Sequence, residues 1–312
     1  MTRNLLEIDD LSADELRSVL VFAGLAAPPK VLAGQGVAAL FEKASNRTRS
    51  STEIAVIQLG GHPVTIQAQE VGLDVRESVE DVARTLGCYH RIICGRTFAQ
   101  STLQRMVDAL ATEAMNVPVV NLLSDSGHPC QALADVLTLQ AAWGVGPDGL
   151  AGHRVAFVGD ANNVAMSLGL ACARLGIDFV VAHPAGYGFD DWTLDRLRSA
   201  GPGVITTTTD PVDGVDGADA VYTDVWVSMG QEEERAARLD AFARFGVTAD
   251  LMAHAHPGAA FLHCLPAHRG EEVSHEVLEG PSSKVWLQAA NRMHAIRGVF
   301  LWLLGQSEGV GA

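Results

Sequence analysis

The fold is decided by residues 41–52, which read FEKASNRTRSST. The apolar residues 37–41 lead into this stretch and predict a short buried strand. Residues 53–61 follow it with a helical pattern closed by Gly60 and Gly61. Residues 45–48 therefore lie where a strand ends and a helix begins.

This junction has the properties of an anion site. Backbone N–H groups at the start of a helix have no partner within the helix, and the helix dipole is positive there. Arg47 and Arg49, with the neighbouring hydroxyl groups, add charge-assisted donors that suit a phosphate. A capped surface helix with solvated arginines would explain the same residues, so this stretch alone leaves both interpretations open.

Length and composition limit the class of protein. The chain has 312 residues, which predicts two α/β domains. A net charge of −15 argues against nucleic acid or an anionic membrane as a partner. Five cysteines without a C-x-x-C motif indicate reduced thiols. The chain has no signal-peptide pattern and no apolar run near the ~20 residues that span a bilayer, so we expect a cytoplasmic protein.

Strands and helices alternate along the whole chain, which is typical of parallel α/β sheets. Strands are predicted at residues 37–41, 63–66, 92–94, 117–121, 153–158, 178–182, 204–207, 220–223 and 260–263. Helices are predicted at residues 12–23, 53–61, 78–86, 102–113, 132–143, 164–175, 192–199, 232–245 and 285–304. Residues 67–77 are predicted as a polar loop, and the glycine-rich residues 144–152 indicate a domain boundary.

The predicted fold is α/β, with two doubly wound parallel-sheet domains joined by interdomain helices. The first domain covers residues 1–144 and is completed by the C-terminal helix at about 285–312. The second domain covers residues 145–284. Ligands of such sheets bind beyond the carboxyl ends of the strands, and the unusual polar clusters of this chain follow predicted strands.

Three strand ends of the first domain carry polar side chains. Residues 45–48 follow the first strand, Arg96 follows the strand at 92–94, and His128 and Gln131 follow the strand at 117–121. Together they suit a phosphate joined to a polar carbonyl group. Arg47 and Arg96 would hold phosphate oxygens, while His128 and Gln131 would bind the carbonyl and amide. Helix capping beside Pro129 is the alternative role for His128.

Two turns of the second domain suit an amino acid. Residues 159–163 join a strand to a helix, but they lack the later glycines of G-x-G-x-x-G, which argues against a nicotinamide dinucleotide. The adjacent amides of Asn162 and Asn163 suit a zwitterion instead. In the loop at 224–230, the carboxylate of Asp224 can hold an ammonium group, and a turn with a helix-capping acid is the alternative.

The thiol of Cys264 ends the last predicted strand. Covalent catalysis with His263 is one interpretation, but the sequence offers no evident acid to orient the histidine. Zinc bound among His254, His256, His263 and His268 is another, but their spacing matches no recognised ligand pattern. We favour a thiol that makes a polar or positioning contact.

Taken together, these motifs resemble the ornithine carbamoyltransferases, within the aspartate/ornithine carbamoyltransferase superfamily. Residues 45–49 (SNRTR) are similar to the carbamoyl phosphate signature S-T-R-T-R, and residues 128–131 (HPCQ) to H-P-x-Q. Asp224 with residues 228–230 (SMG) is similar to the D-x-x-x-S-M-G loop of ornithine-type members. Residues 263–266 match H-C-L-P, and residues 291–292 match an N-R in the last helix. The resemblance extends from Phe41 to the C-terminal helix.

The resemblance implies transfer of the carbamoyl group of carbamoyl phosphate to the side-chain amine of L-ornithine, giving L-citrulline and phosphate for arginine biosynthesis. It implies no metal, no organic cofactor, and a homotrimer with sites at subunit interfaces. The residues implied for carbamoyl phosphate are Ser45, Asn46, Arg47, Thr48, Arg96, His128, Gln131, Cys264, Leu265 and Arg292. Those implied for the amino acid are Asn163, Asp224, Ser228 and Met229. The catalytic residues among them are Arg96, His128, Asp224 and Cys264.

Two departures from the family pattern keep alternatives open. Asn46 replaces the second residue of S-T-R-T-R. Gly72 aligns with a glutamine in a loop that, in the family, reaches into a neighbouring subunit's site, where Gln69 would substitute if the loop is shifted. One alternative is a carbamoyltransferase for another diamino acid, such as 2,3-diaminopropionate. The other is a non-catalytic relative that regulates a partner enzyme.

Overall fold

The computed structural model describes residues 2–227 and 232–306, and it divides into two compact units. Unit 1 comprises residues 1–134 and 290–312, and unit 2 comprises residues 135–289. Within the described ranges, none of the helices combines the length and apolar character needed to cross a membrane.

Unit 1 is built on a four-stranded parallel sheet with the strand order β2-β1-β3-β4. The strands are β1 (Gly36–Phe41), β2 (His62–Gln67), β3 (His90–Arg96) and β4 (Val119–Leu123). The first helices are α1 (Ala13–Ala23), α2 (Asn46–Gln58), α3 (Ala68–Val71), α4 (Val79–Tyr89), α5 (Gln100–Thr112) and α6 (Pro129–Trp143). Leu40 of β1 and Ile93 of β3 are fully buried in the core of this unit, where they pack with Leu103 and Met106 of α5.

Unit 2 is built on a five-stranded parallel sheet with the strand order β7-β6-β5-β8-β9. The strands are β5 (Arg154–Val158), β6 (Asp178–Ala182), β7 (Ile205–Thr208), β8 (Ala220–Thr223) and β9 (Ala260–His263). The helices that begin in unit 2 are α7 (Asn163–Leu175), α8 (Asp191–Ser199), α9 (Pro211–Val215), α10 (Arg235–Phe242), α11 (Ala249–Met252), α12 (His275–Leu278) and α13 (Val285–Leu303), and α13 continues into unit 1. Single-turn 3₁₀ helices occur at Ile8–Asp10, Pro147–Gly149 and Glu232–Glu234.

The predicted fold class is confirmed by the two parallel sheets and their helices. The chain passes from one unit to the other within α6 and again within α13. The predicted boundary at 144–145 lies just after the end of α6, and the domain limits with their ligand assignments stay a prediction.

Several predicted boundaries were wrong, for physical reasons. The strand-to-helix junction predicted at residues 45–48 is confirmed, since α2 begins at Asn46 and Ser45 caps it; the helical pattern was recognised only from residue 53, because the first two turns lack an apolar period. The loop predicted at 67–77 contains α3. Arg96 is the last residue of β3 and does not follow it. Helices α9, α11 and α12 have four or five residues, too few to show a period.

The strand order of each sheet reverses at one place. In unit 1 the chain runs outward from β1 in both directions, so the reversal lies between β1 and β3. In unit 2 it lies between β5 and β8. The carboxyl ends of the strands at such switch points form the crevice in which α/β sheets bind ligands. The fold therefore offers one candidate ligand position in each unit.

Candidate active site

Strand register explains why distant residues meet in unit 1. Phe41, the last residue of β1, pairs with Arg96, the last residue of β3. The turn that follows β1 therefore begins beside Arg96. Ser45 in that turn caps α2, and its Oγ accepts from the Thr48 backbone N–H at 3.3 Å.

Thr48 is the centre of the polar cluster in unit 1. Its side chain is 1% exposed, and its Oγ1 accepts from Arg96 Nη1 at 3.3 Å and from Arg292 Nη2 at 2.9 Å. The Ser45 Oγ lies 3.1 Å from the same oxygen. Since two guanidinium donors already occupy both lone pairs of the Thr48 hydroxyl, that hydroxyl can donate its own proton to Ser45 Oγ, and the Ser45 proton remains for a ligand. Donors are in surplus here, as an anion site requires.

Arg292 of α13 extends the cluster to the start of α6. Its Nη1 donates to Gln131 Oε1 and lies 3.4 Å from His128 Nε2. Arg292, His128 and Gln131 are all at least 96% buried. Five of the residues predicted for carbamoyl phosphate besides Ser45 are thus linked around one point: Thr48, Arg96, His128, Gln131 and Arg292.

The imidazole of His128 is neutral at pH 7. Burial holds its pKa well below the ordinary value, and the positive charges of Arg292, Arg96 and Arg47 lower the pKa further. A neutral ring adds no charge to a cluster that already contains several guanidinium groups. It can still exchange hydrogen bonds with a polar carbonyl or amide group of a ligand.

The two arginines of the opening motif have different surroundings. Arg49 Nε pairs with Glu53 Oε1 at 2.9 Å on the surface of α2. Arg47 is half-buried and makes no hydrogen bond or ion pair with the described part of the chain. Asn46 is exposed, and its Oδ1 accepts from Ser50 Oγ at 3.2 Å. Because Arg49 is paired with Glu53 and Asn46 is uncharged, Arg47 is the residue of the three whose charge is available to a ligand.

In unit 2, the register of the sheet places Asp224 beside Cys264. Thr223 at the end of β8 pairs with His263 at the end of β9, so the residues that follow them, Asp224 and Cys264, lie next to each other. Cys264 Sγ donates to Asp224 Oδ1 at 3.0 Å. The other carboxylate oxygen, Oδ2, accepts from Asn162 Nδ2 at 3.0 Å. A buried carboxylate oriented by two neutral donors suits an ammonium group.

The expectation that His263 lacks an orienting acid was wrong. His263 and Glu272 are both fully buried, and His263 Nε2 lies 3.2 Å from Glu272 Oε1. His263 Nδ1 accepts from the Leu265 backbone N–H at 2.9 Å, which places the ring proton on Nε2. Both ring nitrogens are therefore engaged by other groups, and His263 does not act on the thiol of Cys264. The same engagement argues against His263 as a zinc ligand.

Gln288 of α13 fixes the strand end that precedes Cys264. Its Oε1 accepts from the His263 backbone N–H at 2.9 Å. Its Nε2 donates to Asp135 Oδ1 at 2.7 Å and to the Tyr222 hydroxyl at 3.1 Å. Burial, followed by the charge of Asp135, raises the pKa of Tyr222, so the phenol stays protonated. Gln288 thus connects the strand end before the thiol to Asp135 and Tyr222 through hydrogen bonds.

Three of the remaining predicted residues lie in unit 2. Asn163 is the first residue of α7, and Cys264 and Leu265 belong to unit 2. Ser228 and Met229 lie outside the described residues. Sequence reasoning left Asn162 out of the site set, although its position as the N-cap of α7 after β5 was the available signal. It also did not anticipate that Thr48 would be the shared acceptor of two arginines.

Gly72 ends α3 in the left-handed region, with φ of 70°. A Cβ there would lie 2.9 Å from Arg76 Cβ. A glutamine at this position would be strained, so this chain does not place a long side chain at Gly72 without moving the loop. The neighbouring Gln69 is exposed on α3.

Comparison with known proteins gives one family match for each half of the chain. A family model described as the carbamoyl-P binding domain of aspartate/ornithine carbamoyltransferase matches residues 3–141. The corresponding Asp/Orn binding domain matches residues 151–303.

Individual relatives match along nearly their whole length. An ornithine carbamoyltransferase of Acidothermus cellulolyticus is 46% identical, covering 100% of this chain and 99% of the relative. An anabolic ornithine carbamoyltransferase of Pyrococcus furiosus is 42% identical, covering 97% and 96%. The solved structure of ornithine carbamoyltransferase from Pyrococcus furiosus superposes with a TM-score of 0.90 at 40% identity, covering 98% of each chain. The chain therefore belongs to the aspartate/ornithine carbamoyltransferase family, and it is a carbamoyltransferase of the ornithine type.

Proposed function

We propose that this chain transfers the carbamoyl group of carbamoyl phosphate to the side-chain amine of L-ornithine, giving L-citrulline and phosphate. The observation that carries the proposal is the buried cluster around Thr48, in which two guanidinium groups and a neutral imidazole gather at the switch point of unit 1. The relatives named as ornithine carbamoyltransferases support ornithine as the acceptor.

In this proposal, unit 1 binds carbamoyl phosphate. Arg47, Arg96 and Arg292 neutralise the phosphate, and the hydroxyls of Ser45 and Thr48 donate to its oxygens. His128 and Gln131 bind the carbamoyl carbonyl and amide. When an amine attacks the carbamoyl carbon, the carbonyl oxygen becomes an oxyanion, and donors fixed before the reaction stabilise it.

Unit 2 binds the amino acid in the proposal. Asp224 attracts the positively charged amino acid, and Cys264 and Asn162 hold the carboxylate in place. The side-chain amine loses a proton before it attacks, so activity should rise toward alkaline pH. A C–N bond then forms, the C–O bond to phosphate breaks, and phosphate leaves with the bonding electrons while the nitrogen releases a second proton.

We further propose a cytoplasmic homotrimer that serves arginine biosynthesis. The five cysteines are all free thiols, as expected in a reducing compartment. The relative from Pyrococcus furiosus is named as an anabolic ornithine carbamoyltransferase, which supports the biosynthetic direction. On α2, Ile54 and Ile57 are exposed one turn apart, beside the edge strand β2, which supports a contact between subunits.

The test is phosphate release from carbamoyl phosphate with a panel of acceptors at pH 6 to 10. The panel contains ornithine, 2,4-diaminobutyrate, 2,3-diaminopropionate, lysine and aspartate. We expect ornithine to give the highest kcat/KM, with activity rising with pH. Preference for a shorter diamine would reject ornithine as the acceptor. Binding of carbamoyl phosphate without release in the presence of any amine would reject the catalytic function.

A further inference from the structure

Arg238 of α10 is a buried arginine that lies outside every predicted site. Its side chain is 8% exposed. Its Nη1 donates to Asp160 Oδ2 at 2.8 Å and to the Trp226 backbone carbonyl at 3.1 Å. Its Nε donates to Glu234 Oε2 at 2.9 Å, and the guanidinium carbon lies 5.1 Å from the centre of the Tyr187 ring.

Two of these contacts belong to the turns that carry the amino-acid cluster. Asp160 lies in the turn after β5, two residues before Asn162. Trp226 lies after β8, two residues beyond Asp224. The side chains of Asn162 and Asp224 bond to each other at 3.0 Å, which joins the two turns directly. Arg238 joins the same two turns through its separate contacts with Asp160 and Trp226. One guanidinium group therefore fixes both backbone segments on which the Asp224 carboxylate depends.

We propose that Arg238 is a positioning residue for amino-acid recognition, because it sets the distance between the turn after β5 and the turn after β8. The inference rests on the proposed function for the identity of the amino acid. Arg238 acts through Asp160 and the Trp226 carbonyl, and its role is separate from the binding of carbamoyl phosphate in unit 1.

Only an arginine fits these contacts. Its planar fork presents donors in fixed directions and can also stack on an aromatic ring, whereas a lysine ammonium is a single point charge on a flexible stem. Asp160 needs this partner as well. Burial raises the pKa of Asp160, and the Arg238 guanidinium opposes that rise by bonding to the carboxylate. Losing Arg238 would leave a buried carboxylate without its cation and release both turns.

The experiment compares Arg238→Gln and Arg238→Lys with a matched control, Arg235→Gln. Arg235 lies one turn earlier on α10, its side chain is 46% exposed, and it pairs with Glu271, which belongs to neither turn. We expect Arg238→Gln to raise the KM for ornithine at least 10-fold and to change the KM for carbamoyl phosphate less than 2-fold. Arg238→Lys should fall between it and the wild type, and Arg235→Gln should match the wild type.

A second measurement distinguishes a local effect on the two turns from a general loss of folding. Hydrogen exchange should increase in Arg238→Gln within residues 159–163 and 220–227, and remain unchanged in the unit 1 strands. The double variant Asp160→Asn/Arg238→Gln, which removes the unpaired carboxylate, should regain thermal stability but not the KM for ornithine. Recovery of thermal stability without recovery of the KM for ornithine would show that the KM depends on the position of the turns and not on the unpaired charge of Asp160.

Two results would overturn the inference. One is an equal rise in the KM values of both substrates, and the other is unchanged exchange in the two turns of Arg238→Gln. Failure of the proposed function would look different. In that case the wild type itself would show no ornithine-dependent phosphate release, while the exchange measurement would still report whether Arg238 holds the two turns.

Discussion

Arg47 should be required for carbamoyl phosphate binding and dispensable for folding. The structure gives it no hydrogen bond or ion pair within the described residues, so Arg47→Ala removes a side chain on which the fold does not depend. We expect the stability change to stay within about 0.5 kcal/mol, as for ordinary surface substitutions. Its charge is nevertheless close enough to lower the pKa of His128, which places it near the cluster.

The loss on the ligand side should be much larger. Removing one partner of a desolvated charge pair costs roughly 2–5 kcal/mol. Since each 1.4 kcal/mol corresponds to tenfold, kcat/KM for carbamoyl phosphate should fall by about 30-fold to several thousandfold. Arg49→Ala is the matched control, because Arg49 lies half a turn further along α2 and pairs with Glu53 on the surface.

The assay is steady-state phosphate release at saturating ornithine, together with thermal unfolding of each variant. The reasoning would be refuted if Arg47→Ala kept wild-type kcat/KM. It would also be refuted if Arg49→Ala lost as much activity, or if Arg47→Ala unfolded several degrees earlier than the wild type. The last result would mean that Arg47 serves the fold and not the ligand.

Two further predictions concern Asp224 with Cys264 and the titration of His128. Asp224→Asn should lower kcat/KM for ornithine at least 30-fold, because the carboxylate charge is lost. Cys264→Ser keeps a donor where the thiol donates to Asp224 at 3.0 Å, so it should lose less kcat/KM than Cys264→Ala. Kinetics with varied ornithine would contradict this prediction if the serine and alanine variants behaved alike. His128 is neutral when folded and its pKa is lowered, so below about pH 6.5 the unfolded chain binds a proton that the folded chain does not. The free energy of unfolding should therefore fall on acidification below about pH 6.5. In denaturant unfolding, His128→Gln should reduce its pH dependence by up to about 1.4 kcal/mol per pH unit. An unchanged pH dependence would show that other groups determine it.

Regular elements with strong apolar patterns were predictable from the sequence. Strands β6, β8 and β9 have the predicted bounds, because continuous buried runs between turn residues leave little ambiguity. The start of α2 was not predictable in this way. Its first two turns are polar and carry no apolar period, so the position of its start followed from the cap at Ser45 and the end of β1 instead.

The partners of site residues were harder to predict than their identities. Motifs pointed to Thr48 and Arg292, but their contact joins residues 244 positions apart, and no local pattern encodes it. Likewise, His263 lies nine residues from Glu272, at a spacing that fits neither a strand nor a helix. Such pairs follow from sheet register and from the path of α13, which only the folded chain determines.

The cluster around Thr48 also affects how the protein should be handled in the laboratory. Unit 1 gathers the buried guanidinium groups of Arg96 and Arg292 at Thr48, and their like charges repel each other. Any small oxyanion that enters relieves this repulsion and favours the folded state by mass action. Inorganic phosphate at 100 times its dissociation constant would add about 2.7 kcal/mol. Melting temperatures measured in phosphate buffer and in an amine buffer would therefore describe two different ligation states of the same chain.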